Sequence, residues 1–204
     1  MFPVLCRYME QEFIDEFFET GRLRLSSFRA FSKHADELRF DDGEGEGLLQ
    51  GKGDQFNWNA KVRIGVNSYV FCASNREDDS LMEDFEVDGY FKIRNSMQFG
   101  LAVARHIPFF SGGIEGPCRY VGERALEWRD SRYDQKEFYD GKDPMNVAFN
   151  EILSAPKKEL LFLKPKKYFA QCEYRWVWHT RKELEDDHLF IECPEAIKYC
   201  EKVT

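Results

Sequence analysis

The stretch of residues 169–178 reads FAQCEYRWVW and alternates between polar and apolar side chains. Because successive side chains of a strand point to opposite faces of a sheet, we expect Gln171, Glu173 and Arg175 on one face. The opposite face would then carry Cys172, Tyr174, Trp176 and Trp178. A row of amide, carboxylate and guanidinium in such an apolar strand predicts a face that is wet or lines a site. The other interpretation is an edge strand with a surface Glu173–Arg175 pair.

Helical and strand patterns precede this stretch. The segment MEQEFIDEFFET (residues 9–20) has its large apolar side chains at helical spacing and is followed by Gly21, a typical C-cap. The segment RLRLSS (residues 22–27) alternates, so that Arg22, Arg24 and Ser26 share one face of a strand. Further strands are predicted at FNWNAKVRIG, SYVFCAS, GYFKIR and HLFIEC, and further helices at FRAFSKHADEL, near Asn95 and at DPMNVAFNEILS.

These elements predict a single α+β domain over residues 1–204, with a mixed, mostly antiparallel β core flanked by helices. A length of 204 residues suits one hydrophobic core, and the aromatic fraction of 16%, with 19 Phe, indicates that rings fill much of it. The glycine-rich segment FDDGEGEGLLQGKGD is predicted to be a loop, because glycine costs backbone entropy in a regular element.

Charge and cysteine content exclude several classes of protein. A net charge of −8 argues against binding duplex nucleic acid through a broad basic surface. The six cysteines form no C-x-x-C pair and are expected to be reduced thiols. The sequence shows neither an export signal nor about 18 consecutive apolar residues, so a cytoplasmic protein without membrane contact is expected.

Three of these segments carry a resemblance. In chain order they supply Arg24, then Ser74 at the end of SYVFCAS, then Gln171 and Glu173 as Gln-x-Glu. This order resembles the Arg-Ser-Glu group of the ADP-ribosyltransferase superfamily and implies its split-sheet fold. Where that group usually shows Ser-Thr-Ser, this chain reads Cys72-Ala73-Ser74, so only the last position matches.

The resemblance implies a reaction on NAD as substrate. Arg24 would hold the NAD phosphates, because a planar guanidinium grips two oxygens at once, and Ser74 would brace the nicotinamide pocket. Glu173 would stabilise the positive charge that develops on the ribose as the glycosidic bond breaks, and Gln171 would orient the acceptor. Ser26 and Arg175 are expected to assist in binding NAD.

A second resemblance covers nearly the whole chain. The succession GRLRLSSF, VFCAS, SLMEDF, GYFKI and KPKKYFAQCEYRW is similar to an uncharacterised bacterial family common among defence-associated genes. Ala73, Glu83 and Gln171 stand where that family usually has Phe, Trp and Glu. The resemblance implies a toxin or effector in anti-phage defence or a toxin–antitoxin system. It would modify a protein or nucleic acid and have an antitoxin or chaperone partner.

Other motifs leave alternatives open. The segment KKELLFLKPKK suggests that Lys164, Lys166 and Lys167 contact the acceptor or a nucleic acid, or only form a solubilising turn. The acidic residues 41–47 could be a solvated loop, a contact with substrate or partner, or a cation site, although their spacing fits no EF-hand. Cys72 is expected to be a buried, inert thiol rather than a nucleophile.

Metal chemistry is not expected. The four histidines include no H-x-x-x-H pair and no cysteine at ligand spacing. A metal-dependent nuclease using Asp41, Glu44 and a lysine lacks a compact acidic motif. The main alternative to a transferase is therefore a non-enzymatic module of a phage-defence system that binds a ligand or a protein.

Overall fold

The computed structural model describes residues 3–31, 45–52, 57–128 and 157–203. Within them the helices are α1 (Gln11–Thr20), α2 (Phe28–Phe31), α3 (Ser80–Asp84), α4 (Ser96–Ala104), α5 (Lys157–Leu160) and α6 (Pro194–Ile197), with a 3₁₀ helix at Lys166–Gln171. The strands are β1 (Leu5–Met9), β2 (Arg22–Ser27), β3 (Glu46–Lys52), β4 (Asn57–Arg63), β5 (Ser68–Ser74), β6 (Gly89–Ile93), β7 (Phe110–Pro117), β8 (Arg119–Val121), β9 (Ala125–Trp128), β10 (Leu163–Pro165), β11 (Glu173–Thr180), β12 (His188–Glu192) and β13 (Cys200–Lys202).

An antiparallel eight-stranded sheet forms the centre of this α+β fold. One edge of β5 pairs along its whole length with β11, which pairs in turn with β7. The other edge of β5 pairs with two strands, β2 at Tyr69 and Val70 and β1 at Ser74. The sheet therefore forks at β5, and the stretch from Phe71 to Ala73 faces the gap between β1 and β2. Strand β12 extends the sheet beyond β2, and β6 and β13 extend it beyond β1.

Two apolar clusters cover the two faces of the sheet. The first packs α1, α4 and α6 against aromatic side chains such as Phe91, Phe99 and Trp176. The second packs α2, α5 and the three-stranded sheet β4-β3-β9 against Val70 and Val177. The expectation that rings fill the core is confirmed, since Phe17, Phe91, Phe99 and Trp176 are almost wholly buried.

Local patterns predicted several elements to within two residues. Helix α1 ends at Gly21, which adopts a left-handed φ of 78° and donates its N–H to the carbonyl of Phe17. Strands β2 and β5 match the predicted segments, and α4 begins after Asn95, whose side chain accepts a hydrogen bond from the Gln98 N–H. The helix predicted at DPMNVAFNEILS and most of the one predicted at FRAFSKHADEL lie outside the described residues.

The prediction of a loop through residues 40–54 was wrong in its second half. Strand β3 occupies Glu46–Lys52 and pairs with both β4 and β9. Gly47 lies in a packed position rather than in a turn, because a Cβ there would lie 2.7 Å from Leu160 Cδ2 and the leucine side chain would have to shift. Gly45, with a φ of 78°, does make the turn into the strand.

The start of the decisive strand also differs from the prediction. Residues Lys166–Gln171 form a 3₁₀ helix, Cys172 adopts a left-handed φ of 43°, and the strand begins at Glu173. From there the predicted alternation is confirmed, because Tyr174, Trp176 and Trp178 enter the first apolar cluster. The edge-strand alternative was wrong, since β11 is paired on both edges and both Glu173 and Arg175 are buried.

Candidate functional site

A cavity of about 560 Å³ lies at the fork of the sheet. Strand β1 contributes residues 6–9 to its lining, β2 contributes Arg22 to Arg24 and Ser26, and β5 contributes residues 70–74. Ligand pockets commonly measure about 300–1,000 Å³, so the space suits a ligand of nucleotide or dinucleotide size.

The cavity brings together most of the residues that the sequence selected. Its lining includes Arg24, Ser26, Ser74, Lys164, Gln171 and Glu173. Arg175, Lys166 and Lys167 are not among the described residues that line it. The three segments that carry the resemblance therefore border one hollow.

Arg24 presents its side chain on the exposed face of β2, while Leu23 and Leu25 on either side of it are buried. Within the described part of the chain, no ion pair or hydrogen bond occupies its guanidinium. The neighbouring Arg22, in contrast, is paired with Glu16 at 2.8 Å. Arg24 is thus a cation at the cavity whose donors are available to an anionic ligand.

Ser26 and Ser74 lie at two ends of the fork. The Ser26 Oγ is 3.3 Å from His188 Nδ1 on the adjacent strand β12. The buried Ser74 hydroxyl donates to the backbone carbonyl of Gln171 at 2.8 Å and accepts from the Arg76 N–H at 3.1 Å. Ser74 therefore fixes the backbone that enters β11.

Glu173 begins β11 directly opposite Ser74 and is bound by two cations. Lys164 donates to its Oε2, and Arg175 Nε donates to its Oε1. The Cys118 Sγ lies 3.7 Å from Oε1, and the Tyr120 hydroxyl accepts the Glu173 backbone N–H at 2.7 Å. We refer to Lys164, Glu173 and Arg175 as the charge triad.

The charge triad keeps Glu173 ionised. Burial opposes its ionisation, but the positive charges of Arg175 and Lys164 outweigh burial and hold the pKa of Glu173 well below its usual value. A carboxylate with so low a pKa is a poor proton acceptor. It is a fixed negative charge at the wall of the cavity.

Two sequence assignments need correction. Arg175 does not reach the cavity, because it is 2% exposed and its Nη1 donates to the Leu161 carbonyl at 2.8 Å. Lys164 is not a surface contact, because it is 8% exposed and its Nζ lies 2.6 Å from Gln171 Oε1 as well as on Glu173. Lys164 lines the cavity beside Glu173, and Arg175 supports Glu173 from outside the lining. Lys166 and Lys167 are exposed on the 3₁₀ helix.

Aromatic side chains add an apolar part to the cavity that sequence reasoning missed. The lining includes Tyr8, Phe13, Phe31, Phe85 and Phe190. Arg7 was also missed. It lines the cavity, its Nη1 donates to the Cys72 carbonyl at 2.9 Å, and its guanidinium stacks over the Phe71 ring. The sequence does mark Arg7, because it is a charged residue inside the short apolar run LCRYM.

The cysteines are all free thiols, and Cys72 lies at the cavity wall. Burial, and then the negative charge of Glu173, raise the pKa of the Cys72 thiol far above its usual value. Since the thiolate is the nucleophilic form, this environment disfavours a reaction at Cys72.

Asp41 and Glu44, which the nuclease alternative requires, lie outside the described residues. Glu46, at the start of β3, forms an ion pair with Lys61 at 2.5 Å.

In the described part of the chain, every helix is too short or too polar to cross a lipid bilayer.

No family model, no curated protein and no solved structure matches the chain.

Proposed function

We propose that the chain is an ADP-ribosyltransferase-like enzyme that uses NAD as its substrate. The observation that carries the proposal is the meeting of Arg24, Ser74, Gln171 and Glu173 around one cavity at the fork of the sheet. The forked sheet is also the arrangement expected of the split-sheet ADP-ribosyltransferase fold. The order of these residues along the chain is that of the Arg-Ser-Glu group.

In the proposed reaction, Arg24 holds the diphosphate of NAD through charge-assisted hydrogen bonds. The bond between the ribose C1′ and the nicotinamide nitrogen breaks, and nicotinamide leaves as a neutral ring. The positive charge that develops on the ribose is stabilised by the carboxylate of Glu173. A nucleophile of the acceptor then forms a bond to C1′ and gives up its proton to solvent.

The charge triad defines how Glu173 takes part. Its Oε1 accepts from Arg175 and its Oε2 accepts from Lys164, which leaves acceptor capacity for a ribose hydroxyl because a carboxylate offers about four lone-pair sites. Its low pKa suits a hydrogen-bond acceptor and counter-charge, not a general base. Gln171, whose Oε1 accepts a hydrogen bond from Lys164 on the same wall, would orient the acceptor.

The acceptor is proposed to approach over the 3₁₀ helix. Lys166 and Lys167 are exposed there, and Phe169 is 66% exposed with its ring edge against Tyr120. Cationic and aromatic side chains together can contact a nucleic-acid backbone and stack on a base. By the resemblance, the protein is a cytoplasmic toxin or effector in anti-phage defence or a toxin–antitoxin system, with an antitoxin or chaperone as partner.

The experiment is to incubate the pure chain with NAD labelled in its adenylate part and with a cell lysate. We expect nicotinamide release and label in protein or nucleic acid. Glu173→Gln should lose turnover by orders of magnitude, while the exposed Glu183→Gln should behave as the wild type. Circular dichroism on both variants separates a chemical defect from unfolding.

The alternative is a non-enzymatic ligand-binding or protein-binding module. The observation that favours it is the charge triad, since buried ion pairs also occur as structural networks without catalysis. NAD binding by calorimetry without any nicotinamide release would support this module. Absence of both binding and turnover would refute the NAD proposal.

A further inference from the structure

Three potential metal ligands meet beside the first apolar cluster, outside the residues that line the cavity. They are His106, two residues beyond the end of α4, Cys193, the N-cap of α6, and Glu195 in the first turn of α6. One ligand atom from each lies within 4.8 Å of the other two. We propose that His106, Cys193 and Glu195 form a binding site for Zn²⁺, and we call them the HCE cluster.

The chemistry of the ligands selects the ion. A thiolate, an imidazole and a carboxylate are the three ligand types that zinc binds in proteins, whereas Mg²⁺ and Ca²⁺ prefer oxygen atoms. Bond lengths of about 2.0–2.3 Å place tetrahedral ligand atoms about 3.3–3.8 Å apart. The His106 Nε2 and Glu195 Oε1 atoms are already 3.0 Å apart, so modest side-chain rotations complete the geometry.

A second observation points into the same space. The Glu195 Oε2 atom is inaccessible to solvent, and no donor of the described residues reaches it in good hydrogen-bonding geometry, although the Cys193 thiol interacts with the carboxylate. A buried carboxylate oxygen without a donor is destabilising, and a bound cation would satisfy it. The thiolate and the carboxylate would together balance the charge of a divalent ion.

The cluster combines a rigid base with access from solvent. Cys193 is wholly buried, and its backbone N–H donates to the Gly21 carbonyl at 2.8 Å, which fixes α6 against the end of α1. The side chains of His106 and Glu195 are 30% and 37% exposed, so an ion can enter between them. Three protein ligands leave a fourth position for water, as in zinc sites with an open position.

The proposal departs from the expectation of no metal, and sequence spacing explains why. Cys193 and Glu195 are two residues apart, but His106 lies far from both in the sequence. Only the packing of α4 against α6 brings His106 to the other two. The proposed metal site is independent of the cavity and of the reaction proposed there.

The test uses the full chain, reduced, stripped with a chelator and titrated with Co²⁺ under anaerobic conditions. We expect one Co²⁺ per chain, a thiolate-to-cobalt charge-transfer band, and displacement of Co²⁺ by Zn²⁺. Cys193→Ser should abolish the band. Cys200→Ser is the matched control and should retain it, since Cys200 is a nearby cysteine outside the cluster.

Glu195→Gln and His106→Ala remove the other two ligands and test the same site if Cys193→Ser fails to fold. Each should weaken metal binding at least about tenfold. Zn²⁺ should raise the Tm of the wild type more than that of Glu195→Gln at the same concentration. A wild type without the band, a band unchanged in all three cluster variants, or a Tm that Zn²⁺ does not raise would each overturn the proposal.

Discussion

The hydroxyl of Ser74 donates a hydrogen bond to the backbone carbonyl of Gln171, 97 residues further along the chain, at 2.8 Å. This bond joins the end of β5 to the residue two positions before Glu173, and both residues line the cavity. The Ser and Gln-x-Glu motifs are therefore physically connected, and they border one cavity. Arg24 completes the site from β2, on the far side of the fork.

Arg24→Ala is expected to weaken NAD binding about tenfold to a hundredfold, because a hydrogen bond to a charged group contributes about 1.5–3 kcal/mol. The fold should be unaffected, since Arg24 is exposed. Calorimetry with NAD measures the loss, and Arg181→Ala, an exposed arginine away from the cavity, is the matched control. Equal affinities in the two variants would contradict the role given to Arg24.

Glu173→Gln is expected to destabilise the protein by about 3–5 kcal/mol, because it leaves Lys164 and Arg175 as uncompensated buried cations. Adding Lys164→Met should recover part of this loss. The double variant should then be more stable than the sum of the single effects predicts, by at least about 1 kcal/mol. Urea unfolding of the four proteins measures the coupling, and strict additivity would show that the triad is not an energetic unit.

The stability that Glu173 contributes should depend on pH in a defined direction. Its pKa is lowered in the folded protein, so the contribution is fully present above the pKa of unfolded glutamate, about 4.3. It is lost as the pH falls through the lower folded value. The difference in unfolding free energy between wild type and Glu173→Gln should be constant from pH 7 to about 5 and should shrink below about 4.3. A difference that instead grew with acidification would contradict the assigned shift.

Local patterns predicted the elements that carry the site, and long-range packing decided the rest. The alternation of β2 was readable because one face of the strand is apolar, and β5 was readable as a short apolar run. The burial of Lys164 was not readable, because a lysine beside Pro165 has the pattern of a surface turn until Glu173 and Gln171 close over it. Strand β3 was missed for a similar reason. Gly47 lies close against the side chain of Leu160, a long-range contact that the local sequence does not show.

Cys72→Ala is expected to retain NAD turnover if Glu173 is the critical group. The thiol lies at the cavity wall, but burial and the charge of Glu173 keep it protonated, so it has little nucleophilic character. Nicotinamide release by the variant is the measurement. A loss comparable to that of Glu173→Gln, in a protein with unchanged circular dichroism, would replace the proposed mechanism with one that uses a cysteine nucleophile.

Gly21→Ala is expected to cost at least about 1 kcal/mol, since an alanine must adopt the left-handed φ of 78° and its Cβ would lie 2.3 Å from the Pro194 nitrogen. The backbone of residue 194 cannot move away easily, because the preceding Cys193 N–H is bonded to the Gly21 carbonyl. Gly112→Ala is the matched control, because a Cβ there meets no atom within 4 Å. Thermal unfolding of both variants separates the two cases. If Gly21→Ala and Gly112→Ala were equally stable, the contact between the end of α1 and the start of α6 would be looser than the structure shows. The HCE cluster would then lack the rigid backbone at Cys193 that its proposed site requires.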